Sequence, residues 1–121
     1  MKFDKIKTEI GEINNLIYIY SIDFLSFVKS LKKKSLDNKI INHSLKLSND
    51  IYNLINKADE SENLNEIIII LKQIIHPAEI ILKNLQDFKC KDELLNEKSD
   101  LTIDSYKIIE KINNLIYLCN S

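Results

Sequence analysis

Glycine and proline are almost absent from this sequence, with one of each in 121 residues. Tight β-turns depend on such residues, because they adopt or fix backbone angles that other residues disfavour. A chain with so few of them has little with which to connect the strands of a sheet, so the composition favours an all-α fold. Arginine is missing altogether, and all 17 basic residues are lysine. Any recognition of anions by this chain therefore depends on lysine.

Cysteine is also scarce, since the chain contains only Cys90 and Cys119. They form no Cys-x-x-Cys motif, and in an up-down bundle they fall near opposite ends of their helices, too far apart for a disulfide. We predict reduced thiols in a cytosolic protein. No apolar run reaches the roughly 18 residues of a membrane span, and the first residues lack the apolar segment of a signal peptide. The expected location is the cytoplasm, without a membrane partner.

Apolar residues recur at steps of three and four along most of the chain, the pattern of amphipathic helices. The pattern predicts helices at residues 4–32, 36–57 and 63–90, and a fourth from about residue 100 towards the end. Short polar connectors place consecutive helices antiparallel. We therefore predict a single domain, residues 1–121, folded as an up-down antiparallel four-helix bundle.

Three local expectations accompany this fold. In the second helix, Ile40 and Ser44 are expected to face the core. The fourth helix is expected to begin with Ser99 or Asp100 as its N-cap, because short polar side chains accept hydrogen bonds from the first helical amides. Pro77 lies inside the third helix and is expected to kink it, because proline lacks the amide hydrogen that the helix needs.

The predicted helices carry more apolar side chains than a four-helix core consumes. The surplus lies on the first and third helices and comprises Tyr18, Ile19, Ile22, Ile69, Ile70 and Ile80. Excess apolar surface usually marks an interface, and a closed homo-oligomer is its natural use. The alternative is a monomer with a wide core.

Charge is distributed unevenly although the net charge is only −1. Residues 1–58 carry ten lysines against six acidic residues, whereas residues 59–121 carry seven against twelve. The most basic stretch contains Lys29, Lys32, Lys33, Lys34, Lys39 and Lys46. One interpretation is a patch that binds nucleic acid or another anionic partner. The other is a solvated helix end, where lysine also complements the negative helix terminus.

Three segments resemble one known family. They are residues 36–51, residues 65–82 with Asn65-Glu66 and the later Ala78-Glu79, and the closing Lys111-Ile-Asn-Asn-Leu-Ile116. The family is that of the four-helix bundle proteins that include the 23S rRNA intervening-sequence proteins and the Avd-like accessory proteins of diversity-generating retroelements. The resemblance implies a non-enzymatic bundle, commonly a pentamer, with a basic surface that engages a reverse transcriptase and its RNA.

Signatures of catalysis are missing from the sequence. It has no glycine-rich phosphate loop, no nucleophile elbow and no zinc-type Cys/His spacing, and helical ribonucleases that need an arginine close to a histidine are excluded. A metal site made by His43, His76, Glu79 and Asp23 is geometrically conceivable, but solvated or boundary positions explain both histidines as well. We predict no catalytic residues, no metal, no cofactor and no small-molecule substrate.

The predicted function is that of a cytoplasmic, non-catalytic accessory protein that self-assembles and binds a reverse transcriptase and its RNA, as the resemblance implies. Several weak lysine patches on one assembly would gain avidity that a single patch lacks. The alternative is a protein-only interaction module, such as an antitoxin-like or phage adaptor bundle, with the acidic half as its contact surface.

Overall fold

The structure, a computed structural model, describes the backbone of residues 2–31 and 36–121, and the side chains of residues 2–31 and 39–121. Within these residues the chain forms four α-helices and no β-strand. They are α1 (Lys2–Ser30), α2 (Leu36–Glu60), α3 (Leu64–Asp87) and α4 (Leu95–Asn120), and a short 3-10 turn at Asp92–Leu94 precedes α4. The predicted all-α class is confirmed.

The helices pack as a four-helix bundle in which α1 contacts α2 and α4, and α3 contacts the same two helices from the opposite corner. Hydrogen bonds between helices show that neighbours run antiparallel. Lys2 at the start of α1 donates to the carbonyl of Cys119 near the end of α4. Gln86 near the end of α3 donates to the Tyr106 hydroxyl on the first half of α4. The predicted up-down topology is therefore confirmed.

One continuous core holds the four helices together. The largest fully buried side chains are Tyr20, Phe24, Phe27, Ile6, Ile10, Ile17, Ile41, Ile51, Ile55, Ile67, Leu71 and Ile74. Each such side chain contributes roughly 1.5–3 kcal/mol relative to the same side chain in water. Three aromatic rings of α1 continue this core to Phe88, whose ring meets that of Phe27 edge to face at 6.1 Å.

In α2 the core-facing stripe differs from the prediction. Ile41 is completely buried, whereas Ile40 is 47% exposed. The buried positions continue through Ser44 and Ser48 to Ile51, at regular steps of three and four. The expectation for Ser44 is confirmed and that for Ile40 is wrong. Ile40 and Ile41 lie four and three residues before Ser44, so helical spacing alone does not decide which of the two isoleucines faces the core.

The starts of α3 and α4 are capped in different ways. Asn63 caps α3, since its side-chain oxygen accepts a hydrogen bond of 3.1 Å from the Glu66 amide. The start of α4 was predicted five or six residues too late, because Ser99 and Asp100 lie inside the helix and are exposed. The preceding 3-10 turn leads directly into Leu95, so no side-chain cap is needed there. Polar residues on an outward helical face and polar residues at a cap look alike in a sequence.

Helix α3 continues through Pro77 from Leu64 to Asp87 without a break. Across the described ranges, no helix combines the length and the apolar composition needed to cross a bilayer.

Candidate interaction surfaces

The outward face of α1 carries four large apolar side chains. Tyr18 is 49% exposed, Ile19 56%, Ile22 48% and Leu25 42%. Their spacing along the helix keeps them on one side, opposite the buried Tyr20 and Phe24. The sequence predicted the first three of these residues as surplus apolar surface, and their exposure is confirmed. Leu25 was missed, although it lies three residues after Ile22 on the same stripe.

Polar contacts between α1 and α2 border this face on one side. The ammonium of Lys7 donates to the carbonyl oxygens of Asp59 and Ser61 at the end of α2. Two helical turns further along α1, the side-chain amide of Asn14 donates to the side-chain oxygen of Asn56 at 2.9 Å. These bonds lie on the flank of α1 that meets α2, and they agree with the rotation of α1 that its buried stripe sets. The apolar face of α1 is consequently held towards solvent.

Tyr18 also contacts α2 through its ring. The centroids of Tyr18 and Tyr52 are 5.6 Å apart, with the ring planes inclined by 43°. Such pairs add roughly 0.5–1.5 kcal/mol beyond the area that they bury. Half of Tyr18 still faces solvent, so its ring forms the α2-side margin of the apolar face.

On α3, the prediction of surplus apolar surface is wrong for Ile70. Ile70 is only 7% exposed and belongs to the bundle's own core, because the buried stripe of α3 is wide enough to take both Ile70 and Leu71. Ile80 is half-buried. Ile69 is 58% exposed, but its neighbours Lys72 and Gln73 are exposed as well. Since α3 lies diagonally across the bundle from α1, the two sets of residues do not form one surface.

The lysine patch is described in part. Lys29, at the end of α1, and Lys39, near the start of α2, are exposed at the same end of the bundle. Lys46 is exposed two turns further along α2, with its Nζ 3.9 Å from the Asp50 carboxylate. An exposed pair of this kind stabilises a helix by only about 0.3–0.5 kcal/mol. Lys32, Lys33 and Lys34 lie outside the described residues.

The four side chains considered for a metal do not come together. His43 on α2 and His76 on α3 are exposed. Asp23 instead lines a groove of about 140 Å³ between α1 and α4. Among the side chains that the structure describes, no group of three or more histidine, cysteine or acidic residues is arranged to hold a metal ion.

The groove beside Asp23 is acidic. Its walls include Glu97, Asp100 and Asp104 of α4 together with Phe27 of α1. Burial raises the pKa of the Asp104 carboxyl above its usual value; Lys107 opposes the shift, and Asp23 and Asp100 add to it. The groove thus concentrates negative charge on the α1–α4 flank of the bundle.

The hydroxyl and thiol groups in and beside the core are poorly suited to act as nucleophiles. Burial raises the pKa of the Tyr20 phenol, which lies 2.7 Å from the Ser105 hydroxyl inside the bundle. Burial likewise raises the pKa of the thiols of Cys90 and Cys119. Thiols with raised pKa values stay protonated near neutral pH and are weak nucleophiles.

A second groove, of about 410 Å³, runs between the first half of α1 and the last half of α4. Its charged lining is Lys5, Glu9 and Glu12 of α1 and Lys111 of α4. Such long, solvated side chains of both signs give no fixed constellation of donors or acceptors. Among the described residues, the outward face of α1 carries the most closely spaced exposed apolar side chains, four within residues 18–25, whereas those of α4 are spread over residues 95–117 (Leu95, Ile103, Tyr106 and Tyr117).

A scan against models of known protein families gives no match to this chain, and searches of curated proteins and of solved structures give none either. The resemblance to the Avd-like and intervening-sequence bundles stays a prediction that depends on the residues quoted for it.

Proposed function

We propose that this chain is a non-catalytic accessory protein that self-assembles through the outward face of α1. The observation that carries the proposal is the exposure of Tyr18, Ile19, Ile22 and Leu25 on one side of one helix. Contiguous apolar side chains in contact with water are costly, and covering them is a common driving force for association. A second copy of the chain always brings an identical face, so self-association needs no other component.

The accessory role has two further supports. The thiols of Cys90 and Cys119 have raised pKa values, and the Tyr20–Ser105 pair is sealed inside the bundle, so these groups are not poised for reaction. The family resemblance, in addition, implies a bundle that assists a partner without catalysing a reaction. The proposed location is the cytoplasm.

The proposed partner is a reverse transcriptase together with its RNA, as in Avd-like proteins. Lys29 and Lys39 support this choice, because both are exposed at the bundle end where α1 ends and α2 begins. Lys32, Lys33 and Lys34 lie between these two helices in the sequence. Lysines bind nucleic acid by releasing condensed counterions from phosphates. One copy offers only a few such contacts, so an assembly that displays several copies gains affinity by avidity. The resemblance puts the number of copies at five.

The self-assembly is tested by measuring mass in solution as the concentration rises, with one charged substitution on each of two helices. Ile22→Lys places an ammonium in the α1 face and is expected to give monomers. Ile69→Lys is the matched control, because Ile69 is an equally exposed isoleucine on α3. Retention of assembly by Ile22→Lys, or its loss only in Ile69→Lys, would contradict the proposal. A wild-type chain that stays monomeric at millimolar concentration would also do so.

RNA binding is tested by a salt titration. Steeply salt-dependent binding that is lost when Lys32, Lys33 and Lys34 are all changed to glutamate supports the proposed partner. Lys57→Glu is the control, since it changes charge at an exposed position in the last turn of α2, at the opposite end of the bundle.

A protein-only interaction module is the second candidate function. The acidic groove lined by Asp23, Glu97, Asp100 and Asp104 favours it, because a negative surface repels nucleic acid and suits a basic protein. Absence of RNA binding even at low salt points to this candidate.

A further inference from the structure

A second apolar patch lies on the first half of α4, at the groove between α3 and α4. Leu95, Ile103 and Tyr106 are exposed there. They line a groove of about 520 Å³ whose remaining walls are polar side chains. Among its described lining residues only Lys98 is charged, and its ammonium donates to the carbonyl oxygen of Phe88 at 2.5 Å. The groove is therefore suited to neutral, apolar side chains.

This patch and the outward face of α1 lie at nearly the same height along the bundle. The contact between Tyr20 and Ser105 marks a level that the antiparallel helices α1 and α4 share. The α1 face, residues 18–25, begins two residues before Tyr20, and Ile103 and Tyr106 lie within two residues of Ser105. From that level, both patches extend towards the end of α1 and the start of α4. Since a helix rises about 1.5 Å per residue, the centres of the two patches differ in height by only a few ångströms.

The two patches point away from each other. The α1 face is bordered by α2, through the ring contact of Tyr18 with Tyr52. The α4 patch is bordered by α3, through the hydrogen bond of 2.7 Å from Gln86 to the Tyr106 hydroxyl. Because α1 and α4 occupy adjacent corners of the bundle, their outward directions differ by roughly a right angle, and the lean of each patch widens it. Neither patch can cover the other within one copy.

Two ways of joining copies differ in what they cover. Identical α1 faces that meet each other leave the α4 patch exposed. When the α1 face of one copy lies in the α3–α4 groove of the next, every contact covers both patches. Such a head-to-tail contact either closes into a ring or continues as a filament. The equal heights of the patches remove the shift along the bundle axis that a filament needs, so they favour a ring.

We infer that copies of this chain assemble head to tail into a closed ring, with the outward face of α1 seated in the α3–α4 groove of the next copy. The inference rests on the proposed self-assembly and specifies its geometry. A ring of five needs about 108° between the two contact directions of each copy. This angle lies between a right angle and a straight line, as the directions of the two patches require. The geometry therefore agrees with the proposed five copies.

Each contact is small, and ring closure compensates for its size. Four side chains of α1 and three of α4 each expose about half of their surface, which amounts to roughly 600 Å² of apolar area. With the polar rim, the contact buries on the order of 1,000 Å², the low end for specific interfaces. A copy inside a closed ring is held by two such contacts, and its release breaks both. Sedimentation should therefore show monomers and complete rings, with few species between them.

Mixing two variants tests the contact. Ile22→Lys places an ammonium in the α1 face and leaves the groove intact, whereas Ile103→Lys places one in the groove and leaves the α1 face intact. Each variant alone is expected to stay monomeric at concentrations where the wild type assembles, because burying an unpaired ammonium is costly. An equimolar mixture at millimolar concentration is expected to form one-to-one dimers and nothing larger. It contains one unimpaired pair of surfaces, and the impaired pair stops further growth.

Controls on α4 separate the groove from the rest of the helix. Tyr117→Lys is the matched control, because Tyr117 is exposed on the same helix about 21 Å from Ile103. It is expected to assemble as the wild type does. Leu95→Lys, at the other end of the groove, repeats the test of Ile103→Lys independently. Thermal melting of every variant checks that the bundle is intact.

The outcomes distinguish this inference from the proposed self-assembly. One-to-one dimers in the mixture support both. Assembly of Ile103→Lys and Leu95→Lys like the wild type overturns the groove contact while self-assembly through α1 stands. A mixture that stays monomeric or grows beyond dimers, or a loss of assembly in Tyr117→Lys, also overturns the groove contact. A wild-type chain that is monomeric at millimolar concentration overturns both.

Discussion

The Tyr20 phenol oxygen and the Ser105 hydroxyl oxygen lie 2.7 Å apart in the middle of the bundle and join α1 to α4. Ser105 also donates to the carbonyl of Leu101 one turn earlier in its own helix. The serine therefore accepts from Tyr20 while it donates to Leu101, and both hydroxyls are satisfied without water. This pair sits directly behind the apolar face of α1.

Substitutions of Tyr20 and of Ser105 are expected to lower the free energy of unfolding by different amounts. Tyr20→Phe removes one hydrogen bond and leaves Ser105 bonded to Leu101, so it should destabilise the fold by about 1 kcal/mol. Ser105→Ala leaves a buried phenol hydroxyl without a partner and should cost more, about 1–3 kcal/mol. Urea unfolding measures both. The double variant should cost less than the sum, and strict additivity would show that the bond contributes nothing.

Ile69 and Ile70 are adjacent in α3, one exposed and the other buried, so their substitution tests which face of α3 packs in the core. Ile70→Ala empties a core position and should destabilise the bundle by about 2–4 kcal/mol. Ile69→Ala changes an exposed side chain and should alter stability by at most about 0.5 kcal/mol. Denaturant unfolding of the two variants at low concentration makes the comparison. Equal costs would mean that α3 is rotated from the orientation described.

The acidic groove predicts a dependence of stability on pH. The raised pKa of Asp104 means that the folded state binds a proton more tightly than the unfolded state. Stability should therefore fall as pH rises from the ordinary carboxyl pKa through the raised one, and the penalty should be complete above the raised pKa. Asp104→Asn should melt at a higher temperature than wild type at pH 7.

The same variant provides the check at low pH. Below the ordinary carboxyl pKa, Asp104 is protonated in both states, so the advantage of Asp104→Asn should shrink towards zero. Asp87→Asn on the exposed side of α3 is the control. A gain at pH 7 that persists unchanged at low pH would show that charge is not its cause.

Gly11→Ala should stabilise the dilute monomer. The added methyl group meets open space, and alanine is favoured over glycine inside a helix by about 1 kcal/mol. Thermal or urea unfolding below the concentration of self-association measures the gain. A loss of stability would indicate that the glycine serves the bundle itself.

The sequence predicts the fold well because helical periodicity and short connectors leave one arrangement of four helices. It fails where a pattern has two interpretations. Ile40 and Ile41 both stand at a helical spacing from Ser44, so Ile40 was predicted to face the core in place of Ile41. Ser99 and Asp100 resemble a cap although they lie on an outward face. These are ambiguities between adjacent residues, and packing resolves them.

The candidate surface was predictable only in part. Tyr18, Ile19 and Ile22 stand out because the core stripe of α1 is already complete without them. Ile70 was misplaced, since a sequence does not show how wide a stripe the neighbouring helices will cover. Leu25 follows Ile22 by three residues in the sequence, but the outward direction of this stripe becomes clear only when α2 and α4 are in place.

The hydrogen bonds from the Lys7 ammonium to the carbonyl oxygens of Asp59 and Ser61 join the first half of α1 to the end of α2. During synthesis, this ammonium has no acceptors there until residues 59–61 have emerged from the ribosome. The hairpin of α1 and α2 is thus the earliest unit in which these hydrogen bonds can form. Until then, the apolar outward side of α1 belongs to a helix that lacks its contacts with α2.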